Sequence, residues 1–370
     1  MHTHSQQLER WLGTEHVEHL SRSMKDWYGP PIAIQGVPGK VWAAKGGDFV
    51  GPIEAGYEAS AYDRFEEQHK RELRVRRARM ARAWKQAGAI GGLSEAIRAA
   101  VGTGRRDFNF NKAGATGVVA VTNSLWGLGS QPAAGANAAA APGGESPTDA
   151  TTGAFTFDNP SSGTQHFLMG YPVASVAANS LLLYDRLFQV NKTMASTATE
   201  AVTGTQSRYA STTPGAADYA GGNFLFVEVG GTALAATAHN WTTCTYTDQD
   251  GNTGATLPSL TGNSGAIVRR LDHPVGQWFA PLATGDTGIR YLTQMQCSAS
   301  VATGVINFVI GHPIAWMPCP VANSVCVIDG LTSSFNLVRI MDDAALGFLE
   351  VCKPATTATN YTGMFSTIRG

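Results

Sequence analysis

The hydrophobic pattern of this chain changes character along its length. Beyond residue 150, short apolar runs alternate with Gly, Asn, Asp and Ser: 155–157, 181–184, 224–227, 242–247, 305–310 and 325–328. Each run has strand length, and many short strands separated by turn signals predict a β-sandwich or jelly roll. Val118-Val119-Ala120-Val121 predicts an earlier strand. Residues 130–153 are rich in Ala, Gly and Pro, and residues 191–221 in Thr, Ala and Gly, so both predict loops or arms.

Two blocks of this pattern recur in the same order. Phe167-Leu168-Met169-Gly170-Tyr171-Pro172-Val173-Ala174 returns as Phe308-Val309-Ile310-Gly311-His312-Pro313-Ile314-Ala315. Phe226-Val227-Glu228-Val229 with Asn240-Trp241-Thr242 returns as Phe348-Leu349-Glu350-Val351 with Asn360-Tyr361-Thr362. The echo predicts a β-module used twice, at 111–247 and 248–370. Tyr171 and His312 differ at matched positions, so the echo points to architecture rather than to a shared chemical role.

Residues 1–110 read differently. Val17, Leu20, Met24 and Trp27 share one helical side, and a passage punctuated by Gly and Pro follows to Gly56. That passage predicts an extended strap that orders against a partner surface. Phe65, His69, Leu73, Met80 and Trp84 fall on one face of a predicted helix over 60–87. A shorter helix follows, with Ser94 as cap and Glu95, Ile97 and Arg98 inside it. The predicted fold class is therefore mainly β, with duplicated jelly-roll-like or sandwich modules preceded by a helical and extended N-terminal arm.

Charge narrows the picture. Charged residues are 15% of the 370, Gly numbers 42, and the net charge is −1. That balance suits assemblies in which neighbours cover much of the surface, and it suits many other β-proteins. Roughly half of all Lys and Arg lie between Asp63 and Lys112. Arg71, Arg74, Arg76, Arg77 and Arg79 could dock on an acidic protein surface, remain a solvated face beside Glu66, Glu67 and Glu72, or neutralise phosphates. With them Trp42, Tyr57 and Trp84 form the expected partner-binding set, because Trp, Tyr and Arg dominate interface hot spots. The start of the chain, 1–7, lacks an apolar signal core, and no run reaches membrane-spanning length; synthesis in the cytoplasm and no membrane contact are expected. Five cysteines without CxxC spacing predict reduced thiols.

Candidate chemistry resolves into turns. Asp248-Gln249-Asp250-Gly251-Asn252 offers oxygen ligands but lacks the EF-hand pattern, and reads as a hairpin turn. Gly262-Asn263-Ser264-Gly265 suggests a serine nucleophile, yet His239, His273 and His312 have no sequence reason to lie beside it. Gly36-Val37-Pro38-Gly39-Lys40 and 102–106 miss the phosphate-loop and dinucleotide spacings. His2, His4, His16 and His19 read as exposed histidines. No catalytic, cofactor or metal residues are expected.

The stretches Leu183-Tyr184-Asp185-Arg186-Leu187 and Thr303-Gly304-Val305-Ile306-Asn307-Phe308-Val309-Ile310-Gly311-His312-Pro313, with their Gly-Pro strand exits behind a helix-bearing arm, resemble tailed-bacteriophage virion structural proteins of the capsid decoration or cement type. The resemblance is one of style over most of 150–370, without an active motif. It implies a non-enzymatic homo-oligomer, often a trimer, held on a capsid shell by its arm, in the virion. A major capsid subunit, a tail or baseplate receptor-binding component, and a glycan hydrolase on a β-scaffold are the other classes open to the sequence.

Overall fold

The computed structural model describes residues 40–45, 48–54, 90, 93–161, 163–330 and 337–370. The chain divides into two compact units, Met1–Ala83 and Trp84–Gly370. In the first, β1 (Lys40–Lys45) and β2 (Asp48–Glu54) form an antiparallel hairpin with a bulge between Trp42 and Ala44. An extended strap was expected here, and the hairpin is ordered by its own backbone ladder instead. Trp42 pairs through its backbone with Pro52. The helices expected at 14–27 and 60–87 lie outside the described residues, as do Tyr57, Arg71, Arg74, Arg76, Arg77, Arg79 and Trp84.

The second unit is mainly β. Its helix α1 (Leu93–Val101) carries Glu95 in its first turn and Arg98 in its last, the favourable order for the helix dipole. It buries Ala96 against Leu168 and Ile368. The strands follow as β3 (Arg105–Lys112), β4 (Asn123–Ser124), β5 (Ser130–Gln131), β6 (Gln165–Ala174), β7 (Asn179–Thr193), β8 (Glu200–Ala201), β9 (Phe224–Val229), β10 (Asn240–Trp241), β11 (Thr245–Asp248), β12 (Thr253–Thr256), β13 (Leu260–Thr261), β14 (Ile289–Met295), β15 (Val305–Cys319), β16 (Ile328–Asp329), β17 (Arg339–Ile340), β18 (Leu346–Val351) and β19 (Tyr361–Arg369).

One sheet runs β16-β6-β19-β3-β5, with β17 also on β6. A second runs β4-β18-β7-β15-β9, and it closes on itself. Residues 269–272 bond β4 on one side (Ser124 N to Arg269 O, 2.8 Å; Leu271 N to Thr122 O, 3.0 Å) and β9 on the other (Val229 N to Arg270 O, 2.8 Å; Asp272 N to Val227 O, 2.7 Å). The result is a ring without a free edge, which removes a template for unwanted strand pairing. Smaller sheets, β12-β11-β14-β8 and β10-β13, complete the unit.

Leu182, Tyr184, Phe224, Phe226, Leu271, Val309, Leu349 and Val351 fill the inside of the ring. Its outer face packs on the six-stranded sheet through aromatic contacts. Phe110 lies 4.9 Å from Phe348, and Phe155 lies 5.7 Å from Phe348 and 4.9 Å from Phe365. Because β7 has packed neighbours on both faces, residues 181–190 are buried without alternation.

The repeated blocks fall on β6 and β15 and on β9 and β18. β15 lies between β7 and β9, whereas β6 lies between β16 and β19. Segments 111–247 and 248–370 therefore share sheets. Three expected strands are irregular instead. At 118–121 the chain turns with Ala120 at φ 61°, a left-handed conformation incompatible with a strand. Residues 155–157 reach the core without a ladder, and the run at 325–328 enters β16 only at Ile328. The small-residue stretch 130–153 is irregular, as expected, but it is no free arm. Its backbone pairs with β7 beyond the end of β18, at Ala140 with Asn191 and Glu145 with Gln189.

Candidate interaction surface

The motifs with chemical promise are spent on structure. Asp248 accepts bonds from the backbone N–H of Asp250 (2.9 Å) and of Asn252 (2.8 Å), and from the Asn252 side chain. With Gly251 at φ 90°, the segment is the expected hairpin turn. Ser264 is exposed, and the fold does bring a His–Asp pair close to its loop. His239 Nε2 is 2.9 Å from Asp272 Oδ2, and its Nδ1 is 2.9 Å from the Thr237 carbonyl. Both ring nitrogens are thus occupied, leaving none to take a proton from a serine. Asp272 also accepts from Trp241 Nε1 at 2.8 Å and from the Asn263 N–H at 2.5 Å. Residues 102–106 carry α1 into β3, and 36–39 with His2, His4, His16 and His19 lie outside the described residues.

Ionic pairs are buried in the same way. Arg186 Nη2 meets Glu228 Oε1 at 2.6 Å inside the ring, and Asn307 donates to the same carboxylate at 3.0 Å. Burial works against the charge on Glu228, but Arg186 outweighs it and holds the carboxyl below its usual range. Arg208 grips Asp185 through two 2.9 Å bonds and the Pro147 carbonyl at 2.8 Å, which anchors the long segment after β7. Lys353 lies beneath the surface beside Glu350 and bonds the Ala115 carbonyl. Among the described residues no group of three or more His, Cys, Asp and Glu could hold a metal ion, and no helix is long and apolar enough to cross a membrane.

What faces outward at one end of the second unit is different. Five segments meet there: 113–122, 172–180, 274–279, 316–328 and 354–360. Backbone bonds tie them together. Gly117 N donates to Thr356 O (3.1 Å), Ala120 N to Lys353 O (2.6 Å), Gly276 N to Ala120 O (2.8 Å), Ser175 N to Asn360 O (2.9 Å), and Asn323 N to Ala174 O (2.8 Å). None of the five contains an Asp, Glu, Lys, Arg or His. At the chain's average of 15% charged, that length of sequence would hold several.

The same segments expose Val118, Val119, Val176, Val275, Val321, Val325 and Val327, each between 46% and 63% accessible. Trp316 and Phe279 stand on the flank, with Trp278 between them at 5.3 Å and 4.6 Å. Scattered exposed valines are ordinary; a charge-free group of them on five joined segments makes a candidate interaction surface. Hydrophobic patterning did not reveal this surface, because its five segments are far apart in sequence. The signal available there was the absence of charge in each. No protein-family model, no curated protein and no solved structure matches this chain.

Proposed function

We propose that the chain is a non-enzymatic structural subunit of a bacteriophage particle, of the decoration or cement type, which binds and stabilises the capsid shell through its N-terminal arm. The observation that carries this reading is the charge-free, valine-rich end, a surface built for contact with protein. Two further features support it. The ionisable side chains that might do chemistry are tied into buried pairs and turns. The basic stretch 71–79 precedes a β-body whose ring has no edge to aggregate.

The test is deletion of the gene from the phage that encodes it. A decoration protein leaves shells that assemble but burst at lower temperature, and purified full-length chain restores them. Failure to form any shell would assign a major capsid subunit instead. Normal shells that no longer adsorb to cells would assign a tail or receptor-binding role. Fully normal particles would end the structural reading.

A further inference from the structure

We propose that Lys353 and Asn123 become joined by an intramolecular amide bond, which the folded chain forms by itself with Glu350 carrying the protons. The juxtaposition behind this lies where β4 meets β18. Glu350 and Asn123 are register partners on those strands, and Lys353 N donates to Val121 O at 2.9 Å, just beyond the same pairing. The Glu350 carboxylate touches both side chains. Its Oε1 is 3.8 Å from Lys353 Nζ, and its Oε2 accepts from Asn123 Nδ2 at 2.8 Å. All three residues are shut away from water, at 1% exposure for Lys353 and 0% for Glu350 and Asn123. Tyr361 donates to Oε1 at 2.7 Å and Asn179 Nδ2 lies 3.4 Å from it, so the carboxylate is fixed in place. Asn123 Oδ1 is buried without a partner among the described residues, so the amide group is tied only through the nitrogen that would leave.

An amine attacks a carbonyl only as the free base, and an amide nitrogen departs only when protonated. Glu350 meets both needs from one position. Burial holds its carboxyl above the usual range against the opposing effects of Tyr361, Lys353 and Asn123, which favours its taking a proton from the Lys353 ammonium. Lys353 Nζ then forms a bond to Asn123 Cγ, and the Cγ–Nδ2 bond breaks. The two protons that Nζ gives up pass through Glu350 to Nδ2, which leaves as ammonium. Nothing is oxidised or reduced. Fixed proximity replaces the encounter that makes this exchange slow between free side chains. The result is one event per chain, a covalent staple rather than turnover of a substrate. It closes most of the second unit into a single loop and so restricts the unfolded chain, as a disulfide does.

Intact-mass measurement of the purified full chain, denatured after folding, tests this directly. The wild type is expected below its sequence mass by one ammonia, about 17 Da, because the amine displaces the amide nitrogen. After protease digestion, the peptides that hold Asn123 and Lys353 are expected to travel as one branched species. Asn123→Ala, Lys353→Met and Glu350→Gln are each expected at full sequence mass, with circular dichroism reporting whether they fold. The wild type decides the matter even where a variant does not fold. A folded wild type at its full sequence mass would overturn the inference. So would a mass deficit that persists in Asn123→Ala or Lys353→Met, or a branch that maps to Asn179. A folded Glu350→Gln that still carries the link would remove Glu350 from the chemistry.

Discussion

The buried pair of Arg186 and Glu228 allows a sharp test of how the ring is held together. Glu228→Gln preserves size and removes one charge. The Arg186 guanidinium then keeps Gln189 at 2.6 Å and Tyr184 at 3.1 Å but loses its counter-ion, while stacked 4.9 Å from Trp126 and fully buried. An uncompensated charge of this kind destabilises by about 3–5 kcal/mol. Arg186→Met alone strands the carboxylate and is expected in the same range. Together they remove both charges, so the double variant should lose far less than the sum, with a coupling of about 3 kcal/mol. The assay is urea unfolding followed by tryptophan emission, with the four proteins compared at equal m-value.

Acidification gives an independent arm. The folded pKa of Glu228 is depressed, so its contribution is fully present above the unfolded carboxylate value of about 4.3 and is lost as pH falls through the folded value. The gap between wild type and Glu228→Gln should therefore close in strong acid. Additivity of the two single losses within about 0.5 kcal/mol would refute the reasoning.

Other consequences follow from neighbouring groups. Burial lowers His273 to about 4 and His312 to about 3. Both stay neutral in the folded chain while the unfolded histidines charge near 6.5, so stability should fall as pH drops from about 6.5 towards 4. His312→Gln should reduce that slope by up to about 1.4 kcal/mol per pH unit, measured by unfolding at stepped pH; an unchanged slope would count against the burial argument. Arg270 has no side-chain acceptor among the described residues, and its buried Nε is unsatisfied. Arg270→Met should therefore raise stability by about 1 kcal/mol or more, and a loss would show that the guanidinium is paired. A methyl group at Gly114 would sit 2.0 Å from the Thr359 carbonyl oxygen. Gly114→Ala should cost about 1–3 kcal/mol in thermal unfolding, and a neutral outcome would mean that the two loops separate freely.

Much of the β-architecture was legible because strand signals are local. The runs at 181–184, 224–227 and 305–310 all became strands, since each is dominated by β-branched, aromatic or Leu residues. The helix expected around Ser94 and Glu95 formed, but it starts at Leu93, which places Ser94 in its first turn rather than at its cap. The failures share one cause. Residues 118–121 and 155–157 have strand composition, but a strand needs a partner ladder, and neither sequence states whether one is within reach.

The sequence alone determined that the second unit would be β-rich and that Asp248 to Asn252 would be a hairpin. These are properties of residues close in the chain, set by backbone conformation and alternation. Ring closure was decided only by tertiary structure, because Arg269, Asn123 and Val229 are brought into register by strands that lie elsewhere in the chain. The same holds for Asp272, which gathers His239, Trp241 and Asn263, and for the charge-free end. Each of its five segments is unremarkable by itself, and its meaning depends on a proximity that hydrophobic burial of the two sheets enforces.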